Sequence, residues 1–370
     1  MDESLYSAIQ PPLATADLPG VGGRLKLTPE DFEVEEIPAY EPCGTGDHLY
    51  LWLEKRGMGA EYFARQIAQR LGIATGDVGT AGLKDRHAVT RQWVSVPASA
   101  EANLPKLEGD GIRVLRVSRH GNKLKPGHLR GNCFRIVIRD LDLLADLAGT
   151  VAEVVQRLRD QGVPNFYGPQ RFGRNGSTLR IGLAMLRGEP PPVSEDGRRP
   201  NLFNPFLRKI ALSAVQSAVF NLYLSHRLND GLLHRVLTGD VMSKWPAGGL
   251  FVAEDVAAEQ TRFDRREIVS AGPIVGRKTF AAQGEAAARE AALLAEVGLD
   301  ATHLARGGKL LAGTRRHNLI YVDDLAAEVR PDGVYLAFTL PAGSYATALV
   351  REIMKTQLLE DEAPSMEWRS

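Results

Sequence analysis

NCFRIVIR, residues 132–139, alternates Phe134, Ile136 and Ile138 against Arg135, Val137 and Arg139. A period of two sends one set to a core and the other towards solvent, so the stretch reads as a half-buried strand. Other strands are read around it. DFEVEEI (31–37), RQWVSV (91–96) and IRVLRV (112–117) precede it, and NLIYV (318–322) and VYLAFTL (334–340) lie far downstream. Helical spacing marks residues 60–71, 144–160, about 208–227 and 284–297, and a last helix follows PAGSYAT to about Leu359. Strand-rich ends and a helix-rich middle predict an α+β core interrupted by an inserted domain.

At 370 residues the chain is long for a single core. Its 44% hydrophobic and 24% charged residues are ordinary for a soluble globular protein. The two cysteines, Cys43 and Cys133, make neither a disulfide framework nor a four-ligand zinc site, so a reducing cytoplasm is the expected compartment. The first residues, MDESLYSAIQPPLATADLPG, have no apolar h-region, and no stretch reaches the length of a membrane span. Net charge is zero, yet the charges segregate along the chain. Residues 111–139 hold no Asp or Glu but carry Arg113, Arg116, Arg119, Lys123, Lys125, Arg130, Arg135 and Arg139. Residues 161–188 are also acid-free and carry Arg171, Arg174, Arg180 and Arg187. Acid concentrates in PEDFEVEE (29–36) and LEDE (359–362), which predicts a neutral protein with a basic face suited to nucleic acid.

Three segments have compositions that suit chemistry. GTAGLKDRHAVTRQ (79–92) joins a glycine turn to a strand and sets Lys84, Asp85, Arg86 and His87 in a row. A carboxylate nucleophile needs such a turn, where backbone lets substrate approach, but KDRH alone reads more readily as a turn aspartate among solvated charges. No Gly-Lys-Ser/Thr follows the glycines here or at Gly307–Lys309, so neither is a P-loop. NFYGPQRFG (165–173) mixes aromatics with Arg171, as a loop stacking on RNA bases would, or as a packed interdomain corner would. LPAGSYATALVRE (340–352) places Tyr345 at a helix start, facing a site or packing on the core. HExxH, GxSxG and GxGxxG arrangements are absent, so no metal or cofactor is expected.

Together the ordered segments KLTPEDFEVEEIP (26–38), GTAGLKDRHAVTRQW (79–93), GNCFRIVIR (131–139), NFYGPQRFG (165–173), LSAVQSAVFNLYLSHR (212–227) and LPAGSYATALVRE (340–352) resemble the TruD family of tRNA pseudouridine synthases. The resemblance implies a catalytic domain with a mixed, mainly antiparallel sheet flanked by helices, made from residues 1–163 and 319–370. An α/β TRUD domain would be inserted at 164–318. It implies isomerisation of uridine 13 in tRNA, with Asp85 attacking either the sugar C1′ or the uracil ring. The family's substrate-contacting positions fall on Lys26, Phe32, Asn132, Phe134 and Tyr345, the last being Phe in many relatives. Arg171 and the basic run would meet phosphates. No obligatory protein partner is indicated, and the reaction needs no cofactor. Two rivals are weighed beside it. One is an RNA N-glycosidase pairing Asp85 with a second acid such as Glu36. The other is an RNA-binding or RNA-folding protein without catalysis.

Overall fold

A computed structural model describes residues 7–193, 197, 199–246 and 248–356. The acidic LEDE segment and the expected end of the last helix near Leu359 lie outside the described residues.

The strand of residues 132–139 is longer than its alternation indicated. It is β7 (Leu129–Leu141), and it lies inside a nine-stranded sheet. On one side it pairs with β2 (Phe32–Pro38), which continues through β5 (Val89–Pro97) and β3 (His48–Arg56) to β6 (Ile112–His120). On the other side come β15 (Gly333–Pro341) and β14 (Ala326–Arg330), from the far end of the chain. β1 (Gly22–Arg24) adds to β7, and β4 (Gly79–Thr80) adds to β5. Only β2 and β5 run parallel; the other pairings are antiparallel. The architecture is α+β with a mixed, mainly antiparallel sheet, as expected.

Register divides the sheet into two unlike faces. Lys55 pairs with Thr90, Thr90 with Val34, Val34 with Phe134 and Phe134 with Phe338, so these five form one transverse row on one face. That face is covered by α1 (Ala60–Leu71), α2 (Leu147–Gln161) and α8 (Ala346–Met354), whose apolar stripes complete two buried clusters with Leu49, Leu51, Leu53, Ile136 and Ile138.

The opposite face is ionic. Arg91 bonds Glu33 and Glu54; Arg135 lies within ion-pair distance of Glu33 and Glu35; Arg113 reaches Glu54. Arg116 pairs with Glu41, Arg119 with Glu101, and Arg139 with Asp31 and Asp332. Five arginines of the acid-free run are thus ion-paired, while its Lys123, Lys125 and Arg130 make no ion pair among the described residues. Acids distant in sequence return to it across neighbouring strands, and residues 29–36, thought to lie elsewhere, are its direct partners.

The middle of the chain contains a second sheet that helical spacing did not reveal. Its order is β10 (Leu250–Val252), β9 (Val241–Lys244), β11 (Ile268–Ile274) and β12 (Thr314–His317), all antiparallel. Around it pack α3 (Ser177–Arg187), α4 (Pro205–Asn229), α5 (Val256–Asp264), α6 (Gly284–Glu296) and α7 (Ala301–Arg306). α4 is buried along most of its length, and its Arg227 ends in a buried pair with Asp240. The chain enters and leaves this region side by side, because β8 (Val163–Pro164) pairs with β13 (Leu319–Ile320). Of the expected strand 318–322, only β13 forms.

Candidate active site

The loop between β4 and β5 carries Lys84, Asp85 and Arg86 across the covered face of the large sheet, and its backbone is moored at several points. Gly127 donates its N–H to the Ala81 carbonyl at 2.8 Å. Lys84 Nζ lies 2.9 Å from Glu36 Oε2, with both side chains sealed from solvent at 5% and 0% exposure. Lys55 Nζ donates to the carbonyl oxygens of Asp85 at 2.7 Å and Met58 at 2.6 Å. The backbone of Asp85 is thus held from below while its carboxylate remains 36% exposed. Such a held turn is what precise placement of a reacting group requires.

The Asp85 carboxylate faces Lys26, whose Nζ lies 3.4 Å from Oδ2. Lys26 adopts φ +59°, a left-handed conformation that costs a non-glycine residue about 1–2 kcal/mol. The turn after it explains the surrounding motif. Thr28 donates its N–H to Asp31 Oδ2 at 2.9 Å, and buried Asp31 pairs with Arg139. This turn delivers Phe32 to the start of β2, where Lys26 Nζ stands 4.3 Å over the ring. Phe134 meets Phe32 edge-on at 6.1 Å and stacks on Phe338 at 5.4 Å. Phe32 and Phe134 are buried, so they form a floor under the Lys26–Asp85 pair rather than exposed walls. Asn132 shares their face, two residues along β7, and its Oδ1 is buried without a hydrogen-bond partner among the described residues.

A second group forms around Tyr345 and Tyr167. Tyr345 caps α8 and meets Tyr167 edge-on at 5.6 Å. Arg316, on β12, lies 4.1 Å over the Tyr167 ring and donates to Asn165 O, Asn165 Oδ1 and Gly343 O. It therefore ties the NFYG loop to the PAG turn. Burial lowers the pKa of Arg316. Burial raises the Tyr345 phenol; the charges of Arg171 and Arg316 oppose this, and that of Asp85 adds to it. Arg171 donates to Ser217 Oγ at 3.2 Å and to Ser213 Oγ, with its guanidinium 5.6 Å from the Tyr167 centroid. Among the described residues, Arg171, Arg174 and Arg180 make no ion pair.

The structure therefore gathers Lys26, Phe32, Asp85, Asn132 and Phe134 in one group, and Tyr345 with Arg171 around Tyr167 in a second. Glu36, the second acid of the glycosidase reading, is sealed against Lys84 and is not offered to solvent. Burial raises its pKa, and the Lys84 charge opposes the shift. Lys55, Phe338 and Arg316 escaped the sequence reading. Lys55 had a readable signal, because HLYLWLEKR (48–56) puts it at an inward position after Leu49, Leu51 and Leu53.

The buried Lys55 makes a pH prediction. Burial pushes its pKa down to about 8 from the ordinary 10.5, with Asp85 opposing and Lys84 assisting. Between those values the folded protein holds less of this proton than the unfolded chain, so this group's contribution to stability rises with pH from about 8 to 10.5. Lys55→Met removes that slope. In melting curves across this range the stability of wild type relative to the variant should rise with pH; a difference independent of pH would contradict the assignment.

Among the described residues, no cluster of three or more His, Cys, Asp or Glu could hold a metal ion. No described helix is long and apolar enough to cross a membrane. Comparison with known proteins adds the following. The family model described as tRNA pseudouridine synthase D (TruD) matches residues 10–193 and 201–353. A tRNA pseudouridine synthase D of Anaeromyxobacter sp. (strain Fw109-5) is 46% identical over 344 residues, covering 93% of this chain and 96% of the relative. One from Thermus thermophilus is 42% identical over 353 residues, covering 94% and 93%. A crystal structure described as a TruD-type tRNA pseudouridine synthase of Methanosarcina mazei superposes with a TM-score of 0.73 at 25% identity, over 96% of this chain and 98% of that one.

Proposed function

This chain belongs to the tRNA pseudouridine synthase D family and is an isomerase, and we propose that it converts uridine 13 of tRNA to pseudouridine with Asp85 as nucleophile. The observation that carries the residue assignment is the partly exposed Asp85 carboxylate, moored through its backbone and paired with Lys26 over an aromatic floor.

The reaction breaks the C1′–N1 glycosidic bond, turns the uracil and forms a C1′–C5 bond. C5 loses a proton and N1 gains one, so nothing is oxidised or imported. One covalent nucleophile suffices. The uridine must first leave its stack, at a cost of a few kcal/mol. Stacking on an aromatic returns about 1–3 kcal/mol, which the half-buried Tyr345 ring supplies, while the buried Phe32–Phe134 floor supports the Lys26–Asp85 pair. Lys26 holds the carboxylate in place, and the unpartnered Asn132 Oδ1 accepts an N–H or O–H from the nucleotide. Arg171, which has no acidic partner among the described residues, meets phosphate, with Arg174 and Arg180 beyond it. In residues 111–139 most arginines are ion-paired, so Lys123, Lys125 and Arg130 are the members of that run left to meet phosphate beside residues 171–180.

We also propose that residues 1–163 and 319–370 form the catalytic domain and 164–318 an insertion, a division supported by the β8–β13 pair at its neck. The protein would work in the cytoplasm on tRNA. The test is pseudouridine mapping of total RNA from cells with and without the protein. A signal at tRNA position 13 that depends on the protein supports the reading. A dependent signal elsewhere removes the position assignment, and no dependent signal removes the activity. Release of free uracil on chromatography would instead mark a glycosidase.

A further inference from the structure

Leu83 stands two residues before Asp85 with 80% of its surface exposed. Its neighbours are fixed: Ala81 is buried and accepts from Gly127, Lys84 is sealed against Glu36, and the Asp85 carbonyl is held by Lys55. The exposed apolar side chain is therefore mounted on a fixed base beside the candidate nucleophile. Nothing among the described residues covers it. An apolar side chain held out from a rigid loop is what other proteins insert between base steps to unstack a duplex.

We propose that Leu83 is a wedge. It enters the RNA stack beside the target uridine, fills the space the base vacates and so holds the extruded nucleotide at Asp85. This rests on the function proposed above. Arg86 and His87, after Asp85, are exposed as well, but Leu83 is the exposed apolar side chain of this tethered loop. Leu83 is a positioning residue on this reading, since it acts on the neighbouring base rather than on the reacting atoms.

The wedge acts only where there is a stack to open, and this sets the experiment. Two tRNA transcripts are compared, one native and one altered so that the target uridine is already unpaired and bulged. Single-turnover rates and tRNA affinity are measured for wild type, Leu83→Ala and Leu83→Met, with melting temperature as the folding control. Leu83→Ala should slow the native transcript roughly tenfold, as expected for losing the burial of a leucine side chain. Its affinity should change little, and its rate on the bulged transcript should return to within about twofold of wild type. Leu83→Met, apolar and of similar volume, should recover most of the rate on the native transcript. The proposal is overturned if Leu83→Ala matches wild type on the native transcript, or if it is slowed equally on both. If wild type itself converts no uridine, the function and the wedge fall together; if wild type is active and Leu83→Ala equally so, the wedge alone falls.

Discussion

Replacing Asp85 by asparagine should lower pseudouridine formation by at least about a thousandfold while tRNA affinity changes by less than about threefold. The amide is nearly isosteric with the carboxylate, so the loop and its mooring by Lys55 are kept. It cannot, however, form the covalent bond to the nucleotide. Lys26 loses its partner, but both side chains are partly exposed and the stability change should be small. Single-turnover rates and filter binding with one tRNA preparation measure the two effects separately. Residual activity within tenfold of wild type would remove Asp85 as nucleophile. A parallel loss of affinity would make it a binding residue instead.

The second large effect concerns Lys84, next in the chain. Its ammonium and the Glu36 carboxylate form a pair with almost no exposure. Removing one member of a buried pair leaves the other charge stranded, typically at about 3–5 kcal/mol. Lys84→Met should therefore destabilise the protein by about that amount at neutral pH. The pH dependence has a definite sign. Burial already raises the folded-state pKa of Glu36, so its neutral form favours folding at low pH and that advantage is lost as pH rises through the folded value. Without Lys84 the value rises further, so the deficit of the variant should shrink as the solution is acidified. Lys84→Met combined with Glu36→Leu should return to within about 1 kcal/mol of wild type, because two apolar groups need no partner. Urea denaturation of the three proteins at two pH values decides it. A double variant no more stable than the single one would show that the loop needs the ion pair itself.

The sequence revealed those parts of the fold in which one face meets solvent. Phe134, Ile136 and Ile138 alternate with charged or half-exposed residues, and β7 was readable from them. IVSAGPI (268–274) is buried at every position, so it has no alternation, and the central strand of the second sheet went unread. The ordered motifs led to Asp85, Lys26 and Phe32, because each lies in or directly after a turn whose residues are constrained. Lys55 and Arg316 act from distant segments through backbone carbonyls. A carbonyl acceptor has no side-chain signature, so no pattern in the sequence names its donor. The partners of the arginines in the acid-free run were unreadable for a related reason. Charge along the chain is one-dimensional, whereas Arg135 meets Glu33 and Glu35 only through strand pairing.

The pairing of β7 with β15 has a consequence during synthesis. One edge of β7 can zip onto β2 as soon as residues 129–141 leave the ribosome. The other waits for β15, which begins at Gly333, and the region of the second sheet is made in between. At about 5–20 residues per second, that edge stands open for on the order of ten seconds or more. A nascent chain carrying an unpaired strand with Phe134, Ile136 and Ile138 along one face is a template for wrong pairing with its neighbours on the polysome. The arginines that alternate with them, Arg135 and Arg139, keep the opposite face of that waiting strand charged, which acts against stacking of mispaired strands until the far end of the chain arrives.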